Sequence, residues 1–384
     1  MQTYSFHLMP WPYLEKDFAA KYETVWVDFS NQHYDPSKGV ELYNLYLDQL
    51  EYAEELGFDG VGVNEHHQNA YGNMPAPNLI AAMLARRTKK VRIAIMGNAL
   101  PLYHHPLRIA EEVAMLDVVS GGRVVSGFVR GIGTEYYVFQ VNPAHSTERF
   151  REAHDLIIRA WTEPGPFSFE GKHYNFPYVN PWPRPLQKPH PPIWIPSSGS
   201  SETIRWGVQH RYPYVQTTTP LATAKRNFDF YREAAAEAGY EATPNYLGWA
   251  MPIYVGETDA QAYQEAKPHL EYWWPLFKMP PEMRLPPGYS SVQSTIRTRQ
   301  IKSLDTRHLM SIDELMRQGM VLVGSAETVR QKLEAYYHEL RFGNLFAMFH
   351  FGTLPDHLVR KNMTLFATEV MPAIRRLGCE HHPF

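Results

Sequence analysis

The sequence predicts an α/β fold in which eight parallel strands close into a (βα)8 TIM barrel, and three observations carry that expectation. Short β-branched runs alternate with amphipathic helical segments along most of the chain. About eight strand-like runs are each followed by a helical one, a repeat that implies a parallel sheet with right-handed crossovers. The length of 384 residues suits one large barrel carrying inserted segments. An open doubly wound sheet is the alternative with the same repeat, but eight units close naturally into a barrel. We therefore expect a single domain over 1–384, with insertions at about 19–38, 164–192 and 274–305.

The elements follow in order. Residues 3–9 read as the first strand. Residues 41–56 read as an amphipathic helix stopped at Gly57, a usual residue just past a helix C-terminus. Strand 60–63, helix 76–87, strand 91–96 and helix 106–119 come next, with Pro106 in the first turn of the last. Strand 123–129 and helix 147–161 follow. The pattern then breaks. Residues 167–176 alternate around Glu170-Gly171 as a β-hairpin would, and 177–192 are proline-rich and extended. Alternation resumes with strand 193–195, helix 201–208, strand 214–216, helix 222–238, strand 247–255 and helix 259–272. Residues 274–305 are irregular and long enough to be a candidate lid. Helices near 312–318 and 326–340, a strand at 345–349 and a closing helix near 357–377 complete the pattern.

Composition removes several function classes. With 37 basic and 40 acidic residues the formal net charge is −3, and no Lys/Arg run exceeds pairs such as Lys89-Lys90. A nucleic-acid partner is therefore not expected. No stretch approaches the roughly 18 apolar residues of a membrane span, and the N-terminus lacks the basic and apolar regions of a signal peptide. The expectation is a soluble, cytoplasmic protein. One cysteine, Cys379, excludes an intramolecular disulfide and suits a reducing compartment. The 24 Tyr and 9 Trp can line a wide apolar pocket, though such rings also simply pack cores.

In a parallel barrel the chemistry sits on loops at the C-terminal ends of the strands. Asn64-Glu65-His66-His67 follows strand 60–63. A carboxylate and two imidazoles there can work as acid and base near neutral pH. Adjacent histidines on an extended strand point to opposite faces, and no HExxH spacing follows, so no metal is expected there. Loop ordering and helix capping are the plainer alternative. Pro196-Ser197-Ser198-Gly199-Ser200-Ser201 leaves a strand and opens a helix. Amides at a helix N-terminus beside hydroxyls bind phosphate. One serine would suffice for a simple N-cap.

Arg130-Gly131-Ile132-Gly133 follows strand 123–129. It lacks the full GxGxxG form, so a dinucleotide site is not expected, whereas an arginine at the mouth suits a bidentate phosphate contact. An ion pair across the rim is the alternative. At the end of strand 91–96, Gly97 permits close backbone approach and Asn98 offers donor and acceptor together to a flat heterocycle, or to strand-end backbone groups.

These elements, in this order, resemble the bacterial-luciferase-like flavin monooxygenases. The resemblance runs from GFDGVGVNEHH through NALPLYHHPLRIAEEVAMLDVVSGGRVVSGFVRGIG to PPIWIPSSGSSETIRW, and VGSAETVRQKLEAYYHELRFGNLF resembles the late helix and last strand. It implies a (βα)8 barrel, often dimeric, that uses reduced FMN (FMNH2) delivered by a separate flavin reductase, or less often the deazaflavin F420. It implies O2 as co-substrate, reacting at the flavin C4a carbon to give a peroxide that oxygenates a small organic molecule. His66 matches the active-site histidine, with Glu65 and His67 as supporting residues. Arg130 matches the phosphate arginine, and Ser198 and Ser201 the phosphate hydroxyls. Gly199 and Ser200 then give backbone N–H groups beside Ser197, and Asn98 lies where the flavin ring is touched. Two departures stand out. Residues 19–37 are longer than a plain βα loop, and Val129 stands where some members have Cys. Nothing selects an aldehyde, so light emission is not implied. Trp11, Tyr13 and Trp26 with the 274–305 segment would suit an apolar or aromatic substrate. A non-catalytic flavin-binding protein is the remaining alternative class.

Overall fold

A computed structural model describes residues 1–290, 296 and 309–378. Eight parallel strands close into the expected barrel. In chain order these are β1 (Gln2–Phe6), β2 (Gly60–Val63), β3 (Arg92–Ala99), β4 (Val124–Val129), β7 (Ile193–Ser197), β8 (Tyr214–Thr217), β9 (Leu247–Gly256) and β11 (Asn344–Met348). They neighbour one another in that order, and the ring closes where Gln2 pairs with Asn344. Between β4 and β7 the chain forms an antiparallel hairpin, β5 (Phe167–Glu170) with β6 (Asn175–Val179).

The helices that cover the barrel are α2 (Pro36–Glu55), α3 (Pro77–Arg87), α4 (Leu107–Ser120), α6 (Ser146–Thr162), α7 (Ser201–Gln209), α8 (Leu221–Glu237), α9 (Asp259–Trp273), α12 (Ala326–Leu340) and α13 (Asp356–Leu365). Short turns, α1 (Phe18–Lys21), α5 (Gly133–Val138), α10 (Pro281–Arg284), α11 (Ile312–Arg317) and α14 (Met371–Ile374), lie in the connections. No helix among the described residues is long and apolar enough to cross a membrane.

Large rings fill the barrel interior. Tyr4 stacks on Phe346 at 4.6 Å and meets Trp194 edge-on at 5.6 Å. Gly60 is the matching small residue, since a Cβ there would fall 2.3 Å from the Tyr4 ring. The glycine-bounded entry to β4 has an equally physical cause. Arg123 spends its guanidinium on the Val91, Ala85 and Thr88 carbonyls, and Asp117 is buried against the Gln187 amides at 2.8 and 2.7 Å. These contacts tie α3, α4 and the strand starts together.

Several boundaries differ from expectation. The first long helix begins at Pro36 rather than 41, because Asp35 accepts the Ser37 amide and Pro36 sits at the first helical position. β3 runs on to Ala99 with an irregularity between Ile95 and Asn98. The stretch 130–137, expected as loop, contains α5. The closing helix breaks after Leu365 into a π-turn (Phe366–Val370) and α14. A four-residue strand, β10 (Leu322–Ser325), was not expected; it pairs with the far half of β9, outside the ring. Of the candidate lid at 274–305, the residues 291–295 and 297–305 lie outside the described residues, as does Cys379.

Candidate active site

The turn after β2 divides its two histidines between two carboxylates. His66 Nδ1 lies 2.9 Å from Glu135 Oε1, and the other Glu135 oxygen accepts the Ile132 amide at 2.9 Å. His67 Nε2 lies 2.7 Å from Glu65 Oε1. Both carboxylates are buried. The second Glu65 oxygen collects the Tyr103 hydroxyl at 3.1 Å, the Ala99 amide at 3.3 Å and Asn98 Nδ2 at 3.5 Å. Burial opposes a charged His67 ring, yet the hydrogen bond and charge of Glu65, with Glu135 beyond, outweigh it and raise its pKa. Burial, then the Glu65 charge, holds the Tyr103 hydroxyl protonated.

Rings from the two mouth segments wall His66. Trp26 and Tyr71 meet its imidazole edge-on at 5.2 and 5.3 Å and stack on each other at 4.8 Å. Phe277 backs Tyr71 at 5.1 Å, and Trp26 Nε1 donates to the Leu276 carbonyl at 2.6 Å. Trp11 packs on Tyr13 and Tyr34 nearby in the sequence. Asn98 is fully buried, and its Oδ1, like that of Asn64, has no hydrogen-bond partner among the described residues. Two buried acceptors without donors at the strand ends are costly unless something else donates to them.

Arg130 and the serine cluster follow neighbouring strands, β4 and β7. Ser126 pairs with Ile193 and Gly127 with Trp194. Arg130 Nη1 donates to Thr147 Oγ1 at 2.9 Å and to the Tyr289 carbonyl at 3.2 Å, and the guanidinium lies 4.5 Å over the Tyr289 ring. It shares a small cleft with Thr203 and Trp206 of α7. Ser197 Oγ accepts the Gly199 amide at 3.2 Å. Gly199 has φ +113°, and a Cβ there would strike Asn227. Ser200 stands at the N-cap of α7 but makes no side-chain cap, so its hydroxyl is not spent on closing the helix.

Residues 23–343 match the sequence profile described as luciferase-like monooxygenase. The chain belongs to that family. An uncharacterised protein of Sinorhizobium fredii is 30% identical over 322 residues, 83% of this chain and 88% of its own. The oxygenase component of the flavin-dependent trigonelline monooxygenase of Acinetobacter baylyi is 32% identical over 158 residues, 40% of this chain and 43% of that protein. The oxygenating constituent of the 3,6-diketocamphane monooxygenase of Pseudomonas putida, solved with FMN, superposes with a TM-score of 0.73 at 21% identity, covering 97% of this chain and 98% of that one. At that identity the likeness speaks for the fold alone.

Within this member of the luciferase-like family, Glu135, Tyr103, Thr147 and Tyr289 join the candidate site without having been singled out in the sequence. Behind the mouth, Gln49 Oε1 lies 3.0 Å from His7 Nε2 and 2.8 Å from His350 Nδ1, while Gln49 Nε2 donates to Asp356 at 2.9 Å. Burial pushes the His7 pKa down to about 4 and the His350 pKa well below the usual histidine range. A cleft of about 840 Å³ opens between the ends of α8 and α12, lined by Arg232, Tyr240, Tyr337 and Arg341. It includes none of the residues singled out above.

Proposed function

We propose that this chain is the oxygenase half of a two-component monooxygenase: it takes FMNH2 from a separate reductase and, with O2, oxygenates a small apolar or aromatic molecule. The observation that carries the reading is that Arg130 and the Ser197–Ser201 turn follow the paired strands β4 and β7, with Arg130 in a cleft shared with α7. This side of the mouth has the chemistry of a phosphate cradle: a guanidinium and an uncapped helix N-terminus. The orphaned Asn64 and Asn98 oxygens suit a planar ring that brings N–H donors. The residues therefore fit FMN. Reduced flavin, when bound, supplies two electrons, so that one oxygen atom of O2 enters the substrate and the other leaves as water.

The chain's own residues then have distinct tasks. Arg130, the Ser198 and Ser201 hydroxyls and the Gly199 and Ser200 amides would hold the phosphate. Asn98 Oδ1 would accept from the ring. His66, its Nδ1 taken by Glu135, keeps Nε2 for moving a proton. Trp26 and Tyr71 exclude water that would divert the reaction. The aromatic wall is also what favours an apolar or aromatic substrate. A homodimer fits the surface: Leu79 and Met83 on α3, with Met115, Val118 and Val119 on α4, are exposed on two helices that pack side by side.

The test is an anaerobic titration with photoreduced FMN, riboflavin and F420. The expected result is saturable FMNH2 binding, much weaker riboflavin binding and no F420 binding. Binding of F420 without FMN would replace this reading with an F420-dependent oxidoreductase. If FMNH2 binds but O2 is consumed no faster than by free FMNH2 and independently of His66, the chain is a flavin carrier.

A further inference from the structure

Three potential ligands converge on the outer rim, away from His66. His145, Glu148 and His173 each bring one ligand atom to within 4.8 Å of the other two. His145 stands at the N-cap position of α6 without a side-chain capping bond, Glu148 sits in its first turn, and His173 lies at the tip of the β5–β6 hairpin. His173 Nε2 is 2.9 Å and His145 Nδ1 3.8 Å from Glu148 Oε2, and the two imidazole rings are 5.2 Å apart.

The hairpin tip is held in place independently of these three. Glu152, one turn further along α6, accepts the Lys172 amide at 3.0 Å, the His173 amide at 2.9 Å and the Tyr174 amide at 2.6 Å. Gly171 allows this approach, since a Cβ there would lie 2.0 Å from Glu152 Oε1. The backbone that carries His173 is thus fixed before any ligand arrives, which lowers the ordering cost of binding.

We propose that His145, Glu148 and His173 bind a divalent transition-metal ion of the zinc type. Two imidazoles and one carboxylate suit Zn2+, whereas Mg2+ and Ca2+ ask for oxygen ligands. Three protein ligands leave a fourth position to water. Bonds of about 2.0–2.2 Å put neighbouring ligand atoms roughly 3.3 Å apart, so the Glu148–His173 spacing already fits and the exposed His145 ring has only to turn. Lys172 Nζ, 2.8 Å from Glu148 Oε2, serves as the carboxylate's counter-ion and is displaced by the metal.

The bound ion pins the hairpin tip to α6. Two contacts lead inward from there: the Tyr174 hydroxyl donates to the Tyr103 carbonyl at 3.1 Å, and Thr147 accepts from Arg130. The site therefore stiffens neighbours of both halves of the mouth. It is independent of which flavin the mouth takes.

The test uses the chelator-treated full chain carrying Cys379→Ser, His381→Ala and His382→Ala, which removes the Cys and His donors of the 379–382 stretch. Equilibrium dialysis with ZnCl2 should show one ion bound in the micromolar range, and CoCl2 should give visible absorption bands. His145→Ala with His173→Ala should weaken binding by about 100-fold while leaving the melting temperature of the metal-free protein unchanged. Lys172→Ala should tighten it, and millimolar Mg2+ should not compete. No saturable Zn2+ binding, or an affinity unaltered by the double variant, overturns the proposal.

Discussion

Glu135 meets His66 Nδ1 at 2.9 Å and turns its other oxygen back to the Ile132 amide. One carboxylate thereby ties His66 to the loop that begins with Arg130. It also selects a tautomer: in the neutral ring the proton sits on Nδ1, and Nε2 is left as base. Glu135→Gln should keep FMNH2 binding near that of the parent. It should slow the O2 oxidation of bound FMNH2, in its optimum pH range, by about 10–100-fold, part of what a placed acid or base contributes. The pH profile should move with that of His66→Ala. A wild-type profile in Glu135→Gln would remove the positioning role.

The phosphate assignment separates cofactors by one functional group. Loss of a hydrogen bond to a charged group costs about 1.5–3 kcal/mol, or about 10–100-fold in Kd. Arg130→Ala, or Ser198→Ala with Ser201→Ala, should weaken FMNH2 by that factor and leave reduced riboflavin almost unaffected. Equal loss for both, measured by anaerobic fluorescence quenching, would refute the cradle.

The barrel is legible because its eight strands are short apolar runs separated by strongly periodic helices, a local signal that needs no tertiary knowledge. β10 is not, since Leu322 and Val323 become a strand only by pairing with the part of β9 that extends past the ring. α5 is hidden for a similar reason: Gly133-Thr134 has little helical propensity, and its first turn is closed by Glu135 reaching back to Ile132. In the candidate site, His66, Arg130 and the serine turn are expected from their position at strand ends. Glu135 and Tyr103 are not, because their partners lie 69 and 38 residues away. Only closure of the barrel brings them together.

The buried His7 and His350 and the partly buried His67 should tilt stability with pH in opposite senses. His7 and His350 are held neutral in the fold, so between pH 6.5 and about 4 the unfolded chain takes up more protons than the native one, and stability falls as pH falls. Chemical denaturation should show that slope, and His350→Gln should flatten it. His67 behaves oppositely. Its raised pKa gives stability that is present below 6.5 and lost as pH rises through the folded value. Glu65→Gln should abolish that alkaline loss; a slope that survives would mean the ring is not paired as described.

The exposed stripe on α3 and α4 gives a test of assembly. Met83→Asp with Val119→Asp places two charges on an apolar face of surface helices. Sedimentation should show a dimer for the parent and a monomer for this variant, with the same far-UV spectrum. A parent that sediments as a monomer would end the homodimer reading.

The pairing of β1 with β11 joins Gln2 to Asn344. Closing a loop of that size is entropically slow, and it cannot begin until the last strand has left the ribosome. Until then the nascent chain displays two open sheet edges, the kind of surface that chaperones hold and that neighbouring chains can invade. Yield in a cell should accordingly depend on the supply of holdase during synthesis more than on the stability of the finished protein.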